Sequence, residues 1–313
     1  MLTSEASIED LAKFRLPVQI SLAAGAFKVL DVIDALKAGM SWLQRMAAIP
    51  LHCDPVKLSP LVVQTALGLI LSMTLVLAAR AAPEEIQVYQ DDLSNPGQFG
   101  VDVHQNYVLS GKSGGDYAGA EPSLHTYRLT PEFYLGITKN LEAGFYILSS
   151  VTPDGTVAID GEKARLKFIA PRPSDQKWYW GANLEVGEVR RRFDQNPGHA
   201  EMKGIFGGEA GPFVYAVNGN IDWTLSGPKP VPVSFELDTK LNYKLSEKLQ
   251  AGVETYNGGG PFKALGPLKK NDQFVYAVVD FNLAGHDVNL GLGRNLTNIS
   301  DGWVAKVIIG SHF

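Results

Sequence analysis

The sequence predicts an all-β chain: a single transmembrane antiparallel up-and-down β-barrel of about 12 strands, with short turns at one end and longer loops at the other. Three observations carry that prediction. Apolar and polar residues alternate with period two through most of 99–313, the period of a pleated strand. The apolar faces carry almost no charge, and the polar faces carry nearly all of it. Mean hydropathy is −0.02, which a set of alternating strands averages to and which a polytopic helical protein does not.

The elements follow in order. Residues 1–60 read as an extension from a mis-called start. The stretch 8–43 holds apolar residues at mixed helical spacing, and a start at Met40 or Met46 puts Arg45 or Lys57 in the basic region of a signal. Residues 61–81 are that signal's hydrophobic run, short for a helical span of about 20 residues, and Ala79-Arg80-Ala81 is its cleavage site. Cys53, the only cysteine, lacks the preceding small residue of a lipid-anchor site, so no lipid anchor and no disulfide framework is expected. The barrel is 82–313, with 21 basic and 27 acidic residues and no basic run suited to nucleic acid.

Within it, Phe99, Val101, Val103, Tyr107 and Leu109 share one face against Asp102, His104 and Asn106. Leu129, Pro131, Phe133 and Leu135 oppose Arg128, Thr130 and Glu132, and a tight turn at 138–140 returns the chain through Leu141, Ala143 and Phe145. The pattern continues through 163–170, 178–186, 213–225, 233–243, 249–254, 275–283, 288–292 and 303–313. The strand over 200–210 is the least regular, so counts of 10 to 14 stay open. The long connections are expected at 110–124, 152–161, 188–199, 226–232, 257–272 and 295–301. Aromatics gather at strand ends as two girdles: Phe99, Trp178, Phe213, Tyr243 and Phe313 at one, Tyr107, Tyr127, Trp223 and Trp303 at the other. A water-soluble β-barrel or sandwich has the same alternation with inside and outside exchanged.

Two features resemble known barrels. The last strand closes on a free Phe313, an ending similar to that of Gram-negative outer-membrane β-barrels. The hairpin Gly136-Ile-Thr-Lys-Asn-Leu-Glu-Ala-Gly144 resembles one found in uncharacterised proteobacterial barrels and in the family named for the meta-pathway of phenol degradation. The resemblance implies an outer-membrane channel or transporter. Its implied partners are outer-membrane lipid, the barrel assembly machinery engaging the Phe313 strand, and a small solute of unassigned identity.

Chemistry concentrates on the polar faces, which a barrel in lipid turns inward. Lys163, Arg165 and Lys167 form a basic ladder, and Glu236 and Asp238 an acidic pair. Arg128, Glu132, Glu142, Asp102 and His104 complete the candidate lumen set. Basic and acidic walls facing each other would select small polar or charged solutes, whereas mutual ion pairing would plug the lumen. No catalytic, cofactor or metal site is expected. None of His104, His125, His199, His286 and His312 is followed two residues on by Ser, as in outer-membrane phospholipases, and no His/Cys cluster has zinc spacing. The expected function is a passive or weakly selective channel for small solutes. The alternatives are a non-conducting structural or loop-mediated binding barrel and an outer-membrane hydrolase.

Overall fold

The computed structural model describes residues 85–151, 155, 157–228, 231–297 and 299–313. The extension 1–60 and the signal segment 61–81 lie outside the described residues. Twelve antiparallel strands follow one another: β1 Phe99–Ser110, β2 Tyr127–Thr138, β3 Leu141–Val151, β4 Val157–Ile169, β5 Trp178–Val189, β6 Gly198–Ala210, β7 Phe213–Ser226, β8 Ser234–Ser246, β9 Leu249–Pro261, β10 Gln273–Leu283, β11 His286–Asn295 and β12 Trp303–His312. Each pairs with its sequence neighbours, and β1 pairs with β12 to close the sheet. Closure leaves no unpaired edge, the condition for a sheet in hydrocarbon.

The distribution of side chains separates this barrel from a water-soluble one. Phe145, Leu166, Trp180, Leu184, Met202, Phe206 and Leu241 stand exposed on the outside, while His104, Arg128, Glu132, Arg165, Lys167, Asn218, Glu254 and Lys306 are buried inside. A soluble barrel would bury the first set. Gln105 is the polar exception on the outward face of β1, and the Tyr127 hydroxyl caps it, donating to its Oε1 at 2.8 Å. Phe313 N–H donates to Phe99 O at 2.8 Å, and its ring stacks on Phe99, which stacks on Phe133 (centroids 6.2 and 6.3 Å). The terminal residue thus sits in an aromatic band at the short-turn end.

Register is held on the inner face by tyrosines laid over cross-strand glycines. Tyr134 lies opposite Gly100, Tyr179 opposite Gly207 and Tyr276 opposite Gly293. A Cβ on any of these glycines would fall within 2.3 Å of the facing tyrosine side chain. Each ring therefore fills a space that only glycine leaves open. The turn between β10 and β11 is equally specified: Ala284 (φ 53°) and Gly285 (φ 91°) are both left-handed, as a two-residue type I′ hairpin requires.

Two expectations about length change. The least regular strand forms in full as β6, and the connection expected over 152–161 is shorter because β4 begins at Val157. The alternation was hard to read there because register shifts between Leu148 and Ser149, leaving Asp160 unpaired in the ladder. That bulge aims Asp160 at Arg192, whose Nε donates to it at 2.9 Å.

Candidate functional site: the lumen and the segment inside it

All ten residues singled out on the polar faces lie on inward-facing positions of β1 to β4 and β8, but they are not two bare walls. Arg165 is bracketed by carboxylates from the two preceding strands: its Nε donates to Glu132 Oε1 and its Nη2 to Glu142 Oε1 at 2.8 Å. Glu132 turns its other oxygen to His104 Nε2 at 3.2 Å. Asp102 accepts from the Tyr134 hydroxyl at 2.8 Å. Lys167 meets Asp92 at 3.2 Å, and Lys163 lies 3.8 Å from Glu185. Arg128 stacks its guanidinium 3.4 Å above the Phe193 ring, against a loop. The basic ladder is therefore matched by carboxylates nearly charge for charge. A second knot forms on the opposite wall, where Lys306 and Lys240 both contact Glu254 and Lys240 reaches Asp280 at 2.6 Å.

The acidic pair belongs to a larger feature. Glu185 lies directly opposite Glu201, which lies directly opposite Asp222, a row of three carboxylates across β5, β6 and β7. Glu236 and Asp238 continue it down β8, where Asp238 accepts from Asn220 Nδ2 at 2.6 Å. Lys203, 2.9 Å from Glu201, and Lys163, 3.8 Å from Glu185, supply two positive charges. Like charges directly opposite one another repel, by a few tenths to about 1 kcal/mol per pair. This wall holds more carboxylates than basic groups, and a cavity of about 190 Å³ opens onto it, lined by Lys163, Glu185, His199, Glu201 and Asp222 among others.

The interior is occupied. Residues 85–98, ahead of β1, run inside the barrel rather than along its rim. At the short-turn end Gly97 N–H donates to Gly136 O at 2.7 Å. Deeper, Ser94 N–H donates to Glu142 Oε2 at 2.8 Å, and Lys167 Nζ donates to Asp92 O at 2.7 Å. Tyr89 crosses the middle: Asn218 accepts its N–H at 2.6 Å and donates to its carbonyl at 3.0 Å. Its hydroxyl reaches Tyr146 (2.6 Å) and Glu85 (2.7 Å), and Lys203 sits 4.5 Å from the centre of its ring. Beyond, Lys306 Nζ donates to Ile86 O at 2.9 Å. Apolar patches receive the segment's apolar side chains: Ile86 packs among Val108, Tyr276, Val278 and Val304, and Tyr89 with Leu93 among Ile169, Tyr179 and Ile205.

Loops narrow the other end. Arg192 bridges Glu121 at 3.1 Å and the bulged Asp160, and the Tyr117 hydroxyl donates to Arg191 O at 2.6 Å. Ser123 donates to Asp301. Burial pushes the Asp301 carboxyl above the ordinary aspartate value, against that hydrogen bond, which favours the charged form. Asp194 goes the other way: burial raises it, but His199 and the Asn196 N–H, donating at 2.7 Å, hold it below the ordinary range.

Sequence reasoning missed residues 85–98, Glu201 and Lys203. Glu85-Ile-Gln-Val-Tyr89 does alternate, but Asn95-Pro-Gly97 separates it from β1, and nothing local says that it turns inward. Glu201 and Lys203 were legible in principle, flanking outward Met202 on the strand whose alternation is interrupted by glycines.

No protein-family model and no curated protein matches the chain. Among solved structures it is similar to the COG4313 outer membrane channel from Pseudomonas putida F1, at 12% identity and a TM-score of 0.50, over 73% of this chain and 100% of that one. The KdgM porin aligns at 6% identity and a TM-score of 0.47 (68% and 99% covered), and the NanC porin at 12% and 0.44 (67% and 97%). The first of these likenesses adds to the closed twelve-strand topology and the apolar exterior. The chain has the fold of the outer-membrane β-barrels.

Proposed function

We propose that this chain is an outer-membrane channel for small polar solutes that favours cations over anions. The observation that carries the reading is the carboxylate row Glu185, Glu201 and Asp222, continued by Glu236 and Asp238 and opening into the cavity at the long-loop end. The basic ladder offers anions little, because Glu132, Glu142 and Asp92 already hold Arg165 and Lys167. A cation meets uncompensated charge in a confined, low-dielectric space, where field lines focus and local cation concentration rises. Residues 85–98 narrow the path. With 61–81 acting as a signal cleaved after Ala81, the mature chain begins three residues before Glu85, so the inner segment is an amino-terminal stretch joined through the backbone only to β1. Its Phe313 strand serves as the assembly signal.

A second reading, a barrel that conducts nothing, is favoured by the same segment, which bonds to β3, β4, β7 and β12 at once. Planar-bilayer recording under a KCl gradient separates the two. The channel reading predicts discrete steps with a cation-selective reversal potential, lost towards zero in E201Q/D222N/E236Q. Anion selectivity in the unmodified protein refutes the cation preference, and absence of steps favours the non-conducting barrel.

A further inference from the structure

The lumen wall holds a cluster that the channel reading does not use. Asp102 on β1 lies directly opposite Glu132 on β2, and His104, two residues on, shares their inward face. One donor atom from each of the three lies within 4.8 Å of the others, and among the described residues no other group of His, Cys, Asp and Glu converges in this way. We propose that Asp102, His104 and Glu132 bind a divalent transition metal ion.

Four features support the assignment. His104 Nε2 and Glu132 Oε2 are 3.2 Å apart, the separation of neighbouring ligand atoms, about 3.0–3.4 Å, around an ion with bonds of about 2.0–2.2 Å. The metal takes the place of the proton they now share. Glu132 gives its other oxygen to Arg165, and Tyr134 donates to Asp102 at 2.8 Å, so each carboxylate is oriented from outside and keeps an oxygen free. The imidazole is fully buried and turns its one hydrogen-bonded nitrogen, Nε2, to Glu132, so that nitrogen is the one placed to ligate. Charge agrees as well. With His104 neutral, Glu132 and Glu142 share the single guanidinium of Arg165 and the carboxylate of Asp102 adds to that negative charge, which a dication offsets. One imidazole and two carboxylates suit borderline ions such as Zn²⁺, Co²⁺ or Mn²⁺, with water filling the remaining positions.

The test is Co²⁺ titration of the untagged, metal-stripped full barrel in detergent, followed by visible d–d absorption and by competition with Zn²⁺. One equivalent of Co²⁺ should bind, and H104Q and D102N should each weaken binding at least about tenfold. H125Q, exposed in the long loop after β1 at the other end of the barrel, should bind as the unmodified protein does. Gel mobility with and without heating confirms that each variant is folded, and D102N reports independently should H104Q fail to fold. Absence of Co²⁺ binding, or binding unchanged in folded H104Q and D102N, would overturn the assignment. Neither outcome depends on whether the barrel conducts.

Discussion

The inner segment is held by a narrow margin, and replacing Tyr89 should release it. Ordering residues 85–94 costs about 10–15 kcal/mol at roughly 1–1.5 kcal/mol per residue. Against this stand the buried side chains of Ile86, Val88 and Tyr89, about 2 kcal/mol apiece. Five hydrogen bonds to lumen groups, through Ile86 O, both backbone groups of Tyr89, Asp92 O and Ser94 N, add about 1 kcal/mol each. The favourable side totals about 11 kcal/mol and nearly cancels the ordering cost. Tyr89→Ala removes about 2–3 kcal/mol of ring burial while leaving the backbone bonds to Asn218. At about 1.4 kcal/mol per tenfold, the equilibrium constant for displacing the segment should rise about 30–100-fold. The assay is the labelling rate of Gln87→Cys by a charged maleimide, in protein lacking Cys53. Labelling should be slower than at an exposed site with Tyr89 present and should approach the exposed rate in Y89A. A rate in the Tyr89 background matching an exposed Ser174→Cys control, or no acceleration in Y89A, would show that Tyr89 does not hold the segment in place.

Three further outcomes follow from the lumen and its loops. Arg165→Met leaves Glu132 and Glu142 buried without their cation and should cost about 3–5 kcal/mol, read as the urea midpoint of the folded band; adding E132Q and E142Q should restore most of it. Gly293→Ala places a methyl 2.2 Å from the Tyr276 ring and should cost about 1–3 kcal/mol. Gly204→Ala, whose nearest neighbouring atom is 3.8 Å away, should be near neutral by the same midpoint. Because burial raises Asp301 above its unfolded value, the closed loop binds the proton more tightly than the open one. Loop closure is therefore firmest below the ordinary aspartate range and weakens as pH rises through the raised value. Protease nicking in 111–126 should increase over that window in the native protein and lose this dependence in D301N.

Period-two alternation fixes which side of each strand faces lipid, because a one-residue slip would expose Arg165 and bury Leu166 on the wrong sides. That is why the strand order, the closure at Phe313 and the inward set from Asp102 to Asp238 were legible from residues alone. Partners were not. Arg165 is neutralised by Glu132 and Glu142 because register places three strands side by side, and register is set by Tyr–Gly pairs and the bulge at Asp160, none of which alternation reveals. The basic ladder therefore looked like a bare wall. The inner segment was invisible for a related reason: its contacts lie on β3, β4, β7 and β12, a hundred or more residues away for Asn218 and Lys306. The same parity that hid the pairing did place Asp102, His104 and Glu132 on one inward face, although only the register between β1 and β2 brings them together.

A cation-preferring lumen narrowed by the displaceable segment 85–98 is the central proposal. Single-channel recording of the unmodified barrel beside a variant lacking residues 85–97 tests that most directly. Small or intermittent cation-selective steps are expected in the unmodified protein, and larger, steady steps with the same selectivity once the segment is gone. Equal conductance in both would remove the segment from the path, and no conductance in either would contradict the channel itself.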